Sequence, residues 1–187
     1  MGSQKIKLMS NKPFDELYTP NEAIECLLSF IPKSVKTIWE PTAIPNSKIV
    51  EVLRQNGYKV ITSHLDEGYD FLKYLPEEEF DMIITNPPFS LKDKFLKRGF
   101  EIDKPFFFLL PLTTLESKKR NKLFSTHRIE MVIPNKRFNF MKDKKSSWFQ
   151  TSWIGYKIGL ENQLNFIELK NELQTDNSLK EDTIPQE

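Results

Sequence analysis

The stretch Phe80-Asp81-Met82-Ile83-Ile84-Thr85-Asn86-Pro87-Pro88-Phe89 decides how this chain is read. Its first half is an apolar run of strand length. Its second half is a rigid turn that presents an amide and an aromatic ring where the strand stops. A short, nearly continuous apolar run suits a strand buried on both faces, and so a parallel sheet covered by helices. In open sheets of that kind ligands bind at the carboxyl ends of the strands, which makes Asn86, Pro87, Pro88 and Phe89 candidate site residues. The Asn86 side-chain oxygen and a main-chain carbonyl held by the prolines can both accept from one exocyclic amine, while Phe89 stacks on the ring that carries it. Two acceptors pull a ring-conjugated amine toward tetrahedral geometry and free its lone pair. A Pro-Pro pair can also simply end a strand.

On the amino-terminal side, Thr19-Pro20-Asn21-Glu22 reads as a capping box with proline at the first helical position. The helix it opens has Ala23, Ile24, Leu27, Leu28 and Ile31 on its apolar face, and Pro32 stops it. Residues 35–39 read as a strand, 47–56 as a helix ended by Gly57, and 58–62 as a second strand. Beyond Phe89 the pattern predicts a helix opened at Ser90 and ended by Gly99, a buried strand over 105–110, a polar helix over 116–124, and closing strands over 130–133 and 151–158. Strands alternating with helices predict an α/β fold, a doubly wound and mostly parallel sheet with an antiparallel strand pair at its carboxyl-terminal edge.

Composition narrows the class. With 187 residues, 39% of them hydrophobic, the chain can bury one good core and has little room for a second, so residues 1–170 read as a single domain. The single cysteine, Cys26, excludes a disulfide framework and a cysteine-rich metal site, and no metal is expected. No apolar stretch is long enough to span a bilayer, and residues 1–10 carry two lysines without a signal-peptide core, which predicts a cytoplasmic protein. The net charge of +1 is unevenly spread. Residues 171–187 hold five acids against Lys180 and read as a disordered acidic tail, leaving +5 on residues 1–170. Much of that charge lies in two clusters, Lys118, Lys119, Arg120, Lys122 and Arg128, then Lys136, Arg137, Lys142, Lys144 and Lys145. If both reach the edge that carries Asn86 they can grip phosphates there; otherwise they are solvated faces. Arg137, Phe138, Phe140, Trp148 and Phe149 either flank a flat base or pack the last strand pair.

Asn86-Pro87-Pro88-Phe89 resembles the Asn/Asp/Ser-Pro-Pro-aromatic motif of the S-adenosylmethionine-dependent amino-methyltransferases that modify adenine or cytosine in DNA, after flipping the base out of the duplex. The resemblance extends along the chain in the gamma-type order. Tyr18-Thr19-Pro20 is similar to the front motif that helps bind the cofactor, and Glu40-Pro41 falls where the family's acidic glycine-rich loop begins. Asp70-Phe71 looks like the pair whose acid takes the cofactor's adenine amine, and Asp66 is the acid nearest the usual ribose-binding position. The run through Leu91-Lys92-Asp93-Lys94 is also similar to short methyltransferase-like proteins of bacteriophages and prophages. The resemblance implies a Rossmann-like methyltransferase fold, S-adenosylmethionine as cofactor, and methyl transfer to the exocyclic nitrogen of adenine in DNA, with a protein partner as a possible source of target recognition.

Two departures keep other readings open. Where the family has Gly-x-Gly this chain reads Thr42-Ala43-Ile44-Pro45-Asn46, and only Asn46 readily adopts a left-handed conformation. At the end of the second strand Ser63-His64-Leu65-Asp66 leaves only Asp66 near the usual ribose-binding position, and His64 reads as turn structure rather than a ligand. One alternative is therefore a fold that has lost its cofactor and binds nucleic acid or protein, as a phage counter-defence protein would. Another keeps the enzyme and changes the substrate to RNA adenine or protein glutamine.

Overall fold

A computed structural model describes residues 19–140 and 149–169 of this chain. The expectations placed on Tyr18, Lys142, Lys144, Lys145, Trp148 and the acidic tail lie outside those residues. At the centre are β3 (Met82–Thr85) and β4 (Phe106–Pro111), buried at every position. Their unbroken apolar runs leave no solvated face, so helices cover both sides. Around them β1 (Thr37–Glu40), β2 (Lys59–Thr62), β5 (Ile129–Pro134), β6 (Thr151–Tyr156) and β7 (Leu164–Ile167) complete a seven-stranded sheet in the order β2-β1-β3-β4-β6-β5-β7. Only β6 runs against its neighbours β4 and β5; every other pairing is parallel. The carboxyl ends of β1, β2, β3, β4 and β5 therefore share one edge.

Helices α1 (Asn21–Glu25) and α2 (Lys48–Gln55) pack on one face, over Ile38, Met82, Ile84, Phe107, Leu109 and Trp153. On the other face α3 (Lys92–Ile102) and the partly buried side of α4 (Lys118–Thr126) cover Trp39, Ile83, Phe106, Phe108 and Ile154. The Phe106-Phe107-Phe108 run feeds both cores because strand residues alternate sides.

Four expectations change. The first helix is only five residues long and tightens into a 3-10 turn over Leu28–Phe30, with Leu27, Phe30 and Ile31 amides reaching carbonyls three residues back. Thr19 does not cap it: Pro20 holds the cap position and makes no side-chain cap bond. Gly99 does not end α3, which runs on to Ile102 and closes at Asp103 with φ 60°. It is there for proximity, since a Cβ on Gly99 would stand 2.9 Å from Phe108 Cε2. The antiparallel pair is not at the edge either, because β7 pairs in parallel with β5 outside it. Leu164 and Phe166 of β7 face outward, Phe166 at 76% exposure, and only Ile167 packs against the core, so no buried alternation marks it in the sequence.

Near that edge Glu130, buried, accepts from the amides of Ile158 (2.8 Å), Gly159 (2.9 Å) and Leu160 (2.7 Å) and ties the turn after β6 to β5. No helix among the described residues is long and apolar enough to cross a membrane. Gly155 faces Phe107 so closely that a Cβ would lie 2.6 Å from Cε1. Gly155→Ala is expected to destabilise the fold by about 1–3 kcal/mol through overpacking, seen as a lower denaturation midpoint at unchanged slope. An unchanged midpoint would show that the Phe107 ring swings aside freely.

Candidate active site

The site is built where β1 and β3 end side by side. Glu40, the last residue of β1, is 1% exposed. Its Oε1 accepts from the Thr42 amide (2.8 Å), the Thr42 hydroxyl (2.9 Å) and the Thr85 hydroxyl (2.7 Å). The two threonine oxygens are 2.6 Å apart, and Thr42 Oγ1 lies 3.5 Å from the Asn86 carbonyl. Glu40 Oε2 is buried and has no hydrogen-bond partner among the described residues. Burial pushes the carboxyl up to about 7, against the donors from Thr85 and Thr42 that favour its charged form. A buried carboxylate oxygen of this kind is suited to a cationic ligand group.

Thr85 leads directly into the turn. The half-buried Asn86 donates from Nδ2 to the hydroxyl of Thr19, 3.1 Å away. Pro88 (φ −53°, ψ 122°) ends the extended segment, and its carbonyl accepts from the Leu91 amide at 2.9 Å. Lys92, in the first turn of α3, donates to the Phe89 carbonyl at 3.1 Å. The Phe89 ring meets Phe149 edge-on, with centroids 5.4 Å apart at 78°. The turn is thus held from the amino-terminal segment, from α3 and from Phe149 just ahead of β6.

The loop after Glu40 departs from a glycine-rich one in a specific way. Asn46 adopts φ 62°, a left-handed conformation that asparagine tolerates. Ile44 stays at negative φ and adds a β-branched side chain to the loop. The loop is anchored by Ala43 N to Ser63 O (3.1 Å), and Ser47 opens α2 by accepting from the Val50 amide (3.5 Å).

The remaining candidates divide. Asp70 is half-buried and uses Oδ1 to accept from the Leu72 amide at 3.0 Å, forming a local turn. Phe71 is 3% exposed, stacked on Phe95 at 4.6 Å and packed against Trp39, which places it in the core beneath Asp70. Asp66 has an 87% exposed side chain, and its amide donates to His64 Nδ1 at 3.2 Å, so both belong to a surface turn. The polar position at the end of β2 is Ser63, whose hydroxyl accepts from Trp39 Nε1 at 2.9 Å.

Because β5 runs parallel to β4, Lys136 and Arg137 leave β5 at the same edge as Asn86, and α4 begins there with the exposed Lys118 and Lys119. Lys136 is paired with Glu22 at 3.3 Å. Arg120 corrects the reading of the first cluster. Its guanidinium bonds Asp93 Oδ1 (2.8 Å) and the carbonyls of Thr114 (2.5 Å) and Glu116 (3.1 Å), so it clamps α4 to α3 rather than facing a phosphate. Phe138 and Phe140 are core residues, and Phe149 alone of the described aromatics in that group reaches the turn. Thr42, Thr85 and Lys92 join the site without a motif that marks them in the sequence. A buried hydroxyl closing the otherwise apolar β3 was the available signal for Thr85.

No family model and no curated protein matches this chain. Among solved structures it is similar to a Listeria monocytogenes protein assigned to the class I S-adenosylmethionine-dependent methyltransferases, at 15% identity and TM-score 0.57, over 86% of this chain and 68% of that one. A Pyrococcus horikoshii protein assigned as an RNA methyltransferase is similar at 17% identity and TM-score 0.48, over 75% of this chain and 85% of that one. The first likeness establishes the fold as the Rossmann-like α/β sheet of that class.

Between about pH 4.5 and 7 the folded chain keeps a proton on Glu40 that the unfolded chain has released, so its contribution to stability is lost as pH rises through that window. Relative to Glu40→Gln, the protein is expected to lose up to about 3 kcal/mol across it, measured by denaturant unfolding at each pH. Parallel curves for the two proteins would show that Glu40 titrates normally.

Proposed function

We propose that this chain is an S-adenosylmethionine-dependent amino-methyltransferase acting on the exocyclic nitrogen of adenine in DNA. The observation that carries the reading is the Asn86 amide, held by Thr19 in a proline-stiffened turn and set beside the buried carboxylate of Glu40. The residues present fit the cofactor at one point and resist it at another. Glu40 Oε2 suits the ammonium of the cofactor's amino acid, and the left-handed Asn46 supplies one of the two conformations that glycine would. Ile44 adds bulk at the other. Tyr18, Pro20, Pro41 and Asp70 complete the cofactor residues proposed from the resemblance, with the Asp70 carboxylate toward the adenine amine, whereas the Thr19 hydroxyl is engaged by Asn86. Bound S-adenosylmethionine supplies an electrophilic methyl on a sulfonium.

The chain's own contribution is positioning and charge placement. Asn86 Oδ1 and the Pro87 carbonyl accept from the target amine. Phe89, steadied by Phe149, stacks on the base. Lys118, Lys119, Lys136 and Arg137 supply sequence-independent affinity for phosphates at the same edge, which favours a nucleic acid over a protein substrate.

Ile44 supports a second reading, a fold that has given up the cofactor and binds nucleic acid or protein. Calorimetric titration with S-adenosylmethionine and its demethylated product separates the two: micromolar binding supports the enzyme, and no binding by folded protein supports the binding module. Labelled methyl transfer to DNA, RNA and protein then identifies the substrate. Asn86→Ala is expected to lower transfer by at least about 100-fold while leaving cofactor affinity within about threefold. Retained transfer would remove the mechanism. Replacing Lys118 and Lys119 by alanine is expected to lower DNA affinity and flatten its dependence on log salt by about two, and an unchanged slope would remove them from the interface.

A further inference from the structure

An asparagine amide has two ends of nearly the same shape and opposite chemistry. Turned one way it offers a carbonyl acceptor to the substrate; turned the other, it offers an NH2 donor. A donor facing an amine would set hydrogen against hydrogen, so the function proposed above needs the acceptor end, the buried Oδ1, turned toward the substrate and held there. We propose that Thr19 is the positioning residue that holds it: the Thr19 hydroxyl takes the amino end of Asn86 and thereby presents Oδ1 to the substrate amine.

Three observations carry this role. Thr19 is 7% exposed and its Oγ1 accepts from Asn86 Nδ2 at 3.1 Å, so water competes poorly for the bond. The segment that carries Thr19 is rigid. Pro20 follows with φ −70°, its carbonyl accepts from the Ala23 amide at 3.0 Å, and the Ala23 carbonyl accepts from the buried Trp153 indole at 2.7 Å. Finally, Thr19 lies in a capping-box sequence and does not cap. α1 forgoes the stabilising cap bond while the hydroxyl reaches a residue 67 positions away. Departures from local sequence rules of this sort gather at functional sites. The role differs from a cofactor contact, and it makes the short helix α1 part of the catalytic turn.

The test compares Thr19→Val, which keeps shape and loses the hydroxyl, with Thr19→Ser, which keeps the hydroxyl. The Asn86 side-chain amide is followed by 15N NMR and assigned by its loss in Asn86→Ala. In the unsubstituted protein its two protons are expected to be well separated in shift and one protected from exchange. Thr19→Val should abolish both features and Thr19→Ser should keep them. In turnover, Thr19→Val should lower kcat by about 10- to 100-fold with S-adenosylmethionine affinity within about threefold, and Thr19→Ser should recover most of it. An amide signal unchanged in Thr19→Val overturns the proposal, as does a variant that loses cofactor affinity while keeping kcat at saturation. The amide signal decides the role of Thr19 without turnover, whereas absence of methyl transfer by the unsubstituted protein on every substrate pool would sink the enzymatic reading alone.

Discussion

One carboxylate oxygen, Glu40 Oε1, joins the carboxyl ends of the two strands on which the site is built. It receives the Thr42 amide and hydroxyl from the loop that follows β1, and the Thr85 hydroxyl from the end of β3. Two hydroxyl protons serve a cluster of four close oxygens, Glu40 Oε1, Thr42 Oγ1, Thr85 Oγ1 and the Asn86 carbonyl, so these residues act as one unit. Burying the carboxyl disfavours its charge and leaves Oε2 without a partner among the described residues. What the chain obtains in return is register: the loop after β1 and the turn after β3 cannot shift relative to each other without breaking that unit.

The platform beneath is stiff for a different reason. Phe106, Phe107 and Phe108 carry the two cores on opposite sides of β4, and two glycines permit the closest approaches. Gly99 lets α3 lie against Phe106 and Phe108, and Gly155 lets β6 lie beside Phe107. Interiors packed at this density do not yield gradually. The indole of Trp153 extends the same rigidity to α1 through the Ala23 carbonyl, and so to Thr19.

Electrostatics at the site's edge is more selective than the composition suggests. Arg120 is spent on holding helices together, and Lys136 is paired with Glu22. Lys118 and Lys119 remain exposed at the start of α4. A run of basic residues in a sequence carries no record of which side chains turn inward, because that depends on where the neighbouring carbonyls and carboxylates arrive.

Much of the fold was legible from the chain alone. Unbroken apolar runs at Met82–Thr85 and Phe106–Pro111 specify strands buried on both faces, and such strands require helices between them. The turn after β3 follows from residue type, since prolines fix backbone angles, and Asn46 at positive φ is of a type that tolerates it, whereas Glu40 was marked only by the resemblance. The outward-facing β7 and the continuation of α3 past Gly99 were not legible, because their causes are neighbours distant in sequence. The same holds for the partners of side chains. Phe71 looked like a ligand contact and is core; Thr19 looked like a cap and holds Asn86; Arg120 looked like a phosphate contact and is a clamp. Local sequence determines backbone conformation through short-range sterics, whereas the partner of a polar side chain is whichever group the packed chain brings within about 3 Å, and that is a property of the tertiary structure.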